Sequence, residues 1–252
     1  MNEEQLRLTT NAVKSFSHEF IGLIPFSREI TSSEPLIGID FIPYGSTLLT
    51  NLAKDLGWKG LHFDLDKFNY AAALANRNDM LNEGFIKPAA EMIDILRTSN
   101  LDWFMRPSHD LKHFSGLVDK AGNLADMLQD MIDVWKSGDV GSYAMNPHTD
   151  IVLATPQEIS AEWRWFIVGG KIVSGSMYRA HGQLRKLREL DQKVINEAQL
   201  LADIWLPDQC VVMDTALVGD DIKVIEFNCI NSSGFYDNDV DAIFKALWDY
   251  HD

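Results

Sequence analysis

Between Cys210 and Asn228 the chain reads Cys-Val-Val-Met-Asp-Thr-Ala-Leu-Val-Gly-Asp-Asp-Ile-Lys-Val-Ile-Glu-Phe-Asn, two apolar runs around a Gly-Asp-Asp centre. This is the pattern of a β-hairpin, and its polar residues fall inside the apolar strands. On a strand alternate side chains share a face, so Glu226 and Asn228 project together while Ile225 and Phe227 project to the other side. Burying an ionised carboxylate among Val, Ile and Phe is costly unless a cation or several donors compensate it. Asp214, Glu226 and Asn228 supply only oxygen ligands, the chemistry that magnesium prefers. The competing reading is a half-exposed hairpin whose polar face meets water. Register separates the two. A loop with an odd number of residues centred on Asp220 sets Asp214 opposite Glu226, whereas a two- or four-residue loop pairs Asp214 with Ile225 and turns it away. We expect the odd register, with Gly219 in a left-handed bulge conformation. Cys210 and Cys229 then lie on opposite faces, and no disulfide joins them.

The chain has 252 residues, enough for two lobes and a cleft between them. Lys and Arg number 22 against 37 Asp and Glu, a net charge of −15 that opposes binding to nucleic acid or an anionic membrane surface. The amino terminus, Met-Asn-Glu-Glu-Gln-Leu-Arg, lacks the basic and apolar regions of a secretory signal. No run approaches the roughly 18 apolar residues of a membrane span. A cytoplasmic protein with reduced thiols at its 2 cysteines is the expectation.

Residues Leu36 to Ile42 read as a strand, Pro43 to Ser46 as a turn, and Thr47 to Leu56 as a helix that Ser46 or Thr47 caps and Gly57 stops. With Gly60 to Phe63 as the next strand, this is a β-turn-α-β unit. Such a unit implies a parallel sheet and a helix amino end able to receive an anion. A helix from Ala90 to Thr98 leads to a strand, Leu101 to Pro107, which ends at Arg106. The loop Ser108 to His113 carries Lys112 and leads into Phe114 to Val118. Arg106 and Lys112 together suit polyphosphate oxygens, one as a planar fork and one as a mobile point charge. They are otherwise two surface cations beside a turn. Leu124, Met127, Leu128, Met131, Ile132 and Trp135 recur at helical steps and mark an amphipathic helix lying on a sheet.

Ile151 to Ile159 is an apolar strand broken at Pro156, where backbone groups leave the ladder and become free to face a ligand such as adenine. Ser160 to Val168 and Lys171 to Tyr178 form a second hairpin around Gly169-Gly170. Alternation puts Glu162, Arg164, Phe166 and Val168 on one face, and Trp163, Trp165 and Ile167 on the other. Glu162 and Arg164 lie side by side and are free to pair with each other.

The order of these pieces resembles the ATP-grasp superfamily of ATP-dependent carboxylate-amine ligases, from about Asp102 to the C-terminus. The resemblance rests on Phe104-Met-Arg-Pro107 with Lys112-His-Phe-Ser-Gly116, on Glu162-Trp-Arg-Trp-Phe166 with Tyr178-Arg179, and on Asp214 with Glu226-Phe-Asn228, ending in Asn231-Ser-Ser-Gly-Phe-Tyr236. It is most similar to a small bacterial and phage clade in which an arginine replaces a phosphate-binding lysine. The resemblance implies an α/β and α+β chain: a small α/β domain over residues 1–98, a lid lobe over 99–154, and a C-terminal lobe with the metal site over 155–252. It implies that Arg106 and Lys112 lie near the ATP phosphates and that Thr155, Gln157, Glu158 and Ile159 meet adenine or ribose, with Glu162 beside the nucleotide. Asp214, Glu226 and Asn228 then hold Mg²⁺, and Arg164 and Arg179 face the γ-phosphate or an acyl phosphate. One departure is the short lid loop, with Gly116 in place of a glycine-rich flap.

The implied reaction activates a carboxylate as an acyl phosphate for attack by an amine, with cations stabilising the developing charge and no protein nucleophile. The expected substrates are a small carboxylate and an amine, an amino acid or peptide among them. His109 and His113 flank the lid loop without a clear role. Two rival readings stand beside the ligase. One is a non-catalytic ATP-binding sensor. The other is a metal-dependent nuclease, disfavoured because Asn228 stands where a common nuclease pattern has Lys.

Overall fold

The computed structural model describes residues 3–16, 42–109, 114–138 and 143–252. The first helices are α1 (Glu3–Ala12), α2 (Thr47–Leu56) and α3 (Tyr70–Asn76). The Ser46 hydroxyl accepts from the Leu49 amide at 3.4 Å at the start of α2, and Gly57 ends that helix in the left-handed conformation at φ +70°. Gly60 to Phe63 does not become a strand. It follows a turn at Gly60 and joins no ladder, its backbone held by Asn231, whose amide donates to the carbonyls of Pro43 and Gly60 and whose oxygen accepts from the His62 amide. The expected strand over residues 36–42 falls almost wholly outside the described residues, and Ile42 itself is in no strand. A parallel sheet is also not found: apart from an isolated bridge between Met80 and Val224, the described strands pair antiparallel.

Next come β1 (Gly84–Pro88), α4 (Ala89–Arg97), β2 (Asp102–Pro107), β3 (Leu117–Lys120), α5 (Ala121–Lys136) and β4 (Asp150–Ala154). These strands form one sheet in the order β1-β4-β2-β3. Helices α4 and α5 bury Met92, Leu96, Leu124, Leu128, Met131 and Ile132 against Met105, Ile151 and Leu153 of its strands. Each such side chain withdrawn from water contributes about 1.5–3 kcal/mol before entropy is counted. The expected cut after residue 98 falls inside this layer, because β1 and α4 precede it yet belong to the same sheet and core. Pro88 ends β1 as an edge position allows: proline suits only a strand edge, and β1 pairs on one side only.

The second sheet contains β5 (Ala161–Val168), β6 (Lys171–Ala180), β7 (Gln183–Leu187), β8 (Val211–Val218) and β9 (Asp221–Cys229), in the order β7-β6-β5-β8-β9. Helix α6 (Gln192–Ile204) covers one face, where Trp163, Trp165, Met213 and Phe227 are packed. Helix α7 (Val240–His251) covers part of the other, over Phe166, Val168 and Val212. Gly169 and Gly170 both take positive φ, +59° and +74°, as the tight turn between β5 and β6 requires. Arg77 has no exposed side-chain surface and donates to the carbonyls of Leu201 and Trp205 at 3.0 Å, satisfying the end of α6.

The hairpin β8–β9 corrects the expected register in its mechanism and keeps its outcome. Val218 pairs with Asp221, so the loop is Gly219-Asp220, with Gly219 at φ +60°, and not an odd loop centred on Asp220. A loop of that parity alone would place Asp214 opposite Ile225. The register instead shifts between Asp214 and Thr215, Ile225 is left as the extra residue of a β-bulge, and Asp214 stands opposite Glu226. Both cysteines are buried and no disulfide links them.

Candidate functional site

The second sheet's α7 face is apolar beneath the helix and charged beyond it. Register alone aligns the charges, because Arg164 on β5 pairs with Asp214 on β8, and Asp214 pairs with Glu226 on β9. Arg164 engages Asp214 with two parallel bonds, Nε to Oδ1 at 2.8 Å and Nη2 to Oδ2 at 2.6 Å, and donates from Nη1 to the Gly234 carbonyl at 3.1 Å. The Asn228 amide donates to Asp214 Oδ2 at 3.3 Å and to Glu226 Oε1 at 3.2 Å. Arg106 then reaches across from the first sheet, its Nη2 lying 2.8 Å from Glu226 Oε2. The result is a row, Arg106, Glu226, Asp214, Arg164, in which two guanidinium groups flank two adjacent carboxylates and tie the two sheets together.

Sequence reasoning left Glu162 and Arg164 free to pair. They do not. Glu162 turns to β6, where it accepts from the Tyr178 hydroxyl at 2.7 Å and from Arg179 at 3.1 Å. Tyr178 stacks on Tyr236, with ring centres 4.6 Å apart, and the Arg164 guanidinium lies 4.8 Å from the Tyr236 ring. Tyr236 adopts φ +51°, a conformation that costs a bulky side chain roughly 1–3 kcal/mol and is kept only where the surroundings enforce it. Here the stack and the cation contact enforce it.

Burial governs the protonation of this row. Burial pushes Asp214 up, Arg164 pulls it down, and the facing carboxylates of Glu226 and Glu162 leave it above the usual carboxylate range. Burial also pushes Glu226 up, but Arg106, the Asn228 amide and Arg164 more than reverse this and hold it below its ordinary value. Arg164 would be lowered by burial, yet Asp214 raises it and keeps it charged. Burial raises Tyr178, with Asp214 and Glu162 adding to the shift, so its hydroxyl stays a donor.

The predicted residues divide accordingly. Arg106, Glu162, Arg164, Arg179, Asp214, Glu226 and Asn228 fall into one connected network. Lys112 lies outside the described residues. Thr155, Gln157 and Glu158 are exposed in the loop between β4 and β5, with Ile159 half-buried, and the Gln157 amide donates to the Thr155 carbonyl at 3.3 Å. Sequence reasoning missed Tyr70. Its ring lies 5.2 Å from the Arg106 guanidinium, and burial raises its hydroxyl to about 12. Asn69 seats it: this residue caps α3, accepts from the Ser108 hydroxyl at 2.9 Å and lies 3.2 Å from His109 Nε2. Tyr70, Arg106, Ser108 and Glu226 line one pocket together with Lys67, a further cation that was passed over. The capping signature Asn-Tyr was readable at residues 69–70, but not the neighbour it serves.

The donor set fits a hard divalent cation. Two carboxylates and an amide converge from adjacent strands, with no sulfur or imidazole among them. Three details differ from a loaded site: Arg164 engages both oxygens of Asp214, Arg106 lies on Glu226, and Asn228 presents its NH₂ to both carboxylates. A metal needs Oδ1 there, which a half-turn of the amide supplies.

A family model described as ATP-grasp domain, R-2-K clade, family 3, matches residues 55–247. No curated protein matches. Among solved structures, D-alanine–D-alanine ligase from Bacillus anthracis is similar at 9% identity and TM-score 0.58, over 85% of this chain and 80% of that one. ATP-grasp ligase PsnB, in complex with precursor peptide PsnA2 and AMPPNP, is similar at 10% identity and TM-score 0.56, over 100% of this chain and 95% of that one. Against PsnB with a minimal precursor the chain spans only 61% of the relative's length, with 74% of this chain covered, 12% identity and a TM-score of 0.47. At these identities the likeness is one of fold. No helix among the described residues is long and apolar enough to cross a membrane.

Proposed function

The chain belongs to the ATP-grasp family, and from that membership we propose that it is an ATP- and Mg²⁺-dependent ligase joining a carboxylate to an amine, with an amino acid or peptide as substrate. The observation that carries the proposal is the charged row in which Arg106 of one sheet meets Glu226 of the other, beside Asp214, Asn228 and Arg164. Such a row puts oxygen ligands and guanidinium donors within reach of one polyphosphate. The family supplies ATP as the co-substrate. The amino-acid or peptide class is suggested by fold neighbours that are a D-alanine–D-alanine ligase and a ligase holding a precursor peptide.

In this reading Asp214, Glu226 and Asn228 hold magnesium, which when bound neutralises phosphate charge. Arg106 leaves Glu226 for a phosphate oxygen, with Tyr70 beneath its guanidinium. The substrate carboxylate oxygen attacks the γ-phosphorus, the bond to the β-γ bridging oxygen breaks, and ADP departs. Arg164 and Arg179 stabilise the charge on the transferred group, and the Tyr178–Glu162 pair fixes the position of Arg179. An amine then attacks the acyl carbon, loses a proton, and phosphate leaves. Residues 84–154 act as the lid lobe, and the Thr155 to Ile159 loop receives adenine.

The test is release of ADP by the purified chain with Mg-ATP across a panel of amino acids and peptides. The expected result is release that depends on both a carboxylate and an amine, and that falls by about 10²-fold or more in Glu226→Gln with the fold intact. Mg-ATP binding with no release across the panel, or full turnover in Glu226→Gln, would overturn the proposal.

A further inference from the structure

Just before β8 begins, with Cys210 four residues ahead of Asp214, stands a second group of ligand-type side chains, His62, Asp208 and Cys210. The potential ligand atoms of these residues lie within 4.8 Å of one another. Cys210 precedes Asp214 by four residues, about 13 Å along a strand, so the two groups are separate. We propose that His62, Asp208 and Cys210 form a binding site for a zinc-type divalent cation.

The donor chemistry distinguishes this group from the magnesium ligands. A thiol, an imidazole and a carboxylate together suit a borderline-soft cation, whereas the Asp214 row offers oxygen alone. The local fold brings the three together. The Cys210 amide donates to Asp208 Oδ1 at 2.9 Å, a turn that points the two side chains, two residues apart, to one place. His62 arrives from the far end of the chain, its backbone amide anchored on Asn231 at 2.8 Å and its Nδ1 lying 2.8 Å from Asp208 Oδ1. Ligands of a tetrahedral zinc stand roughly 3.3–3.8 Å apart, so a metal needs the His62–Asp208 pair to open by about half an ångström and atoms up to 4.8 Å apart to close by about 1.5 Å at most.

The other nitrogen of His62 supports the assignment. Its Nε2 lies 2.9 Å from Nε2 of His251 at the end of α7. With a metal on Nδ1, the His62 proton resides on Nε2 and is donated to His251. This is the outer contact that normally fixes the tautomer and orientation of a metal-bound histidine. Cys210 is fully buried and His62 is 7% exposed, while the Asp208 side chain is 31% exposed and gives a route in from solvent. Three protein ligands leave a fourth position for water. A metal there ties the segment after α2 to the start of β8 and steadies the sheet that carries the carboxylate row.

The experiment uses the full chain, stripped by a chelator and titrated with Co²⁺ as a spectroscopic probe. One equivalent should bind with cobalt–thiolate charge-transfer absorption, be displaced by Zn²⁺ and be indifferent to Mg²⁺. Cys210→Ser should lose that absorption, Cys229→Ser should keep it, and His62→Gln should weaken binding at least tenfold. Zn²⁺ at a hundredfold excess over its Kd should raise the Tm by roughly 5–10 °C. Should Cys210→Ser fail to fold in a metal-free melt, Asp208→Asn and Cys229→Ser decide in its place, with a tenfold loss expected in the first and none in the second. The proposal falls if the wild-type chain shows no thiolate absorption, if the absorption follows Cys229, or if His62→Gln or Asp208→Asn binds as tightly as wild type.

Discussion

Replacing Arg164 by Met keeps most of the side-chain volume and removes the partner that engages both oxygens of Asp214, at 2.8 and 2.6 Å. Asp214 is 2% exposed and would keep only the Asn228 amide at 3.3 Å, with Glu226 close by. An unpaired buried carboxylate takes up a proton instead of remaining charged. The cost of that proton sets an upper limit on the damage. From an ordinary value of 3.8, neutralising the group at pH 7 costs about 4 kcal/mol, or a Tm lowered by roughly 8–16 °C in a chain of this size. The sign with pH follows from Asp214 being raised in the folded state. Its folded form binds the proton more tightly than the unfolded chain, so the variant recovers stability as pH falls towards 3.8 and loses it as pH rises. At pH 5 the limit is only about 1.6 kcal/mol. Thermal melts at pH 5 and pH 7 on Arg164→Met, Asp214→Asn and the double variant measure this. The double variant should regain most of the loss, because no charge is left to neutralise. A Tm within 1 °C of wild type at pH 7, or a deficit that is the same at both pH values, would refute the reasoning.

Three other outcomes can be checked against the same fold. Asn231→Ala removes the hydrogen bonds to Pro43, Gly60 and His62, with the weaker one from the Cys229 thiol, from a residue that is 1% exposed, and should cost about 2–4 kcal/mol by urea unfolding. Gly175→Ala drives a Cβ into the Trp165 ring on the neighbouring strand, and should destabilise by about 1–3 kcal/mol in the same assay. Tyr236→Phe keeps the stack on Tyr178 and should leave Tm within about 1 °C, whereas Tyr236→Ala removes the ring that covers the Arg164 guanidinium and should lower affinity for Mg-ATP measured by calorimetry.

What the sequence revealed of the site depended on whether a relation was local. Alternation on β5 separated Glu162 and Arg164 from Trp163 and Trp165, because a strand's faces follow from its own residues. Which acid Arg164 chooses was not local. Glu162 is its neighbour along the chain, yet Asp214, 50 residues away, is its cross-strand partner and accepts both bonds. Tyr70 was invisible for the same reason, since only the fold brings α3 beneath Arg106. Gly60 to Phe63 misled in the other direction. Its apolar residues suggested a strand, but a distant side chain, Asn231, takes up the backbone groups that a ladder would have used.

The β8–β9 hairpin shows how an outcome can be legible when its cause is not. The demand came from energetics: Asp214 and Glu226 sit among apolar residues, and each is tolerable there only beside compensating groups on one face. That requirement constrains parity without saying how parity is met. Loop length was the visible variable, and it points the wrong way, for Gly219-Asp220 alone would pair Asp214 with Ile225 and turn Glu226 to the Trp165 side. On the side of Trp165 and Met213 that carboxylate would lose Arg106, so the ladder instead gives up a regular pairing at Ile225. Nothing in Lys-Val-Ile-Glu marks that bulge. If parity is all that the bulge corrects, Ile225 is the one residue of β9 that can be deleted without moving a face: Val224 still pairs with Thr215, and Glu226 still pairs with Asp214. The deletion should therefore leave Mg-ATP affinity within about threefold by calorimetry and cost about 1 kcal/mol, a Tm lower by roughly 2–4 °C. A folded deletion variant that no longer bound Mg-ATP would show that the site depends on the bend of the bulge, and that sharing a face is not enough.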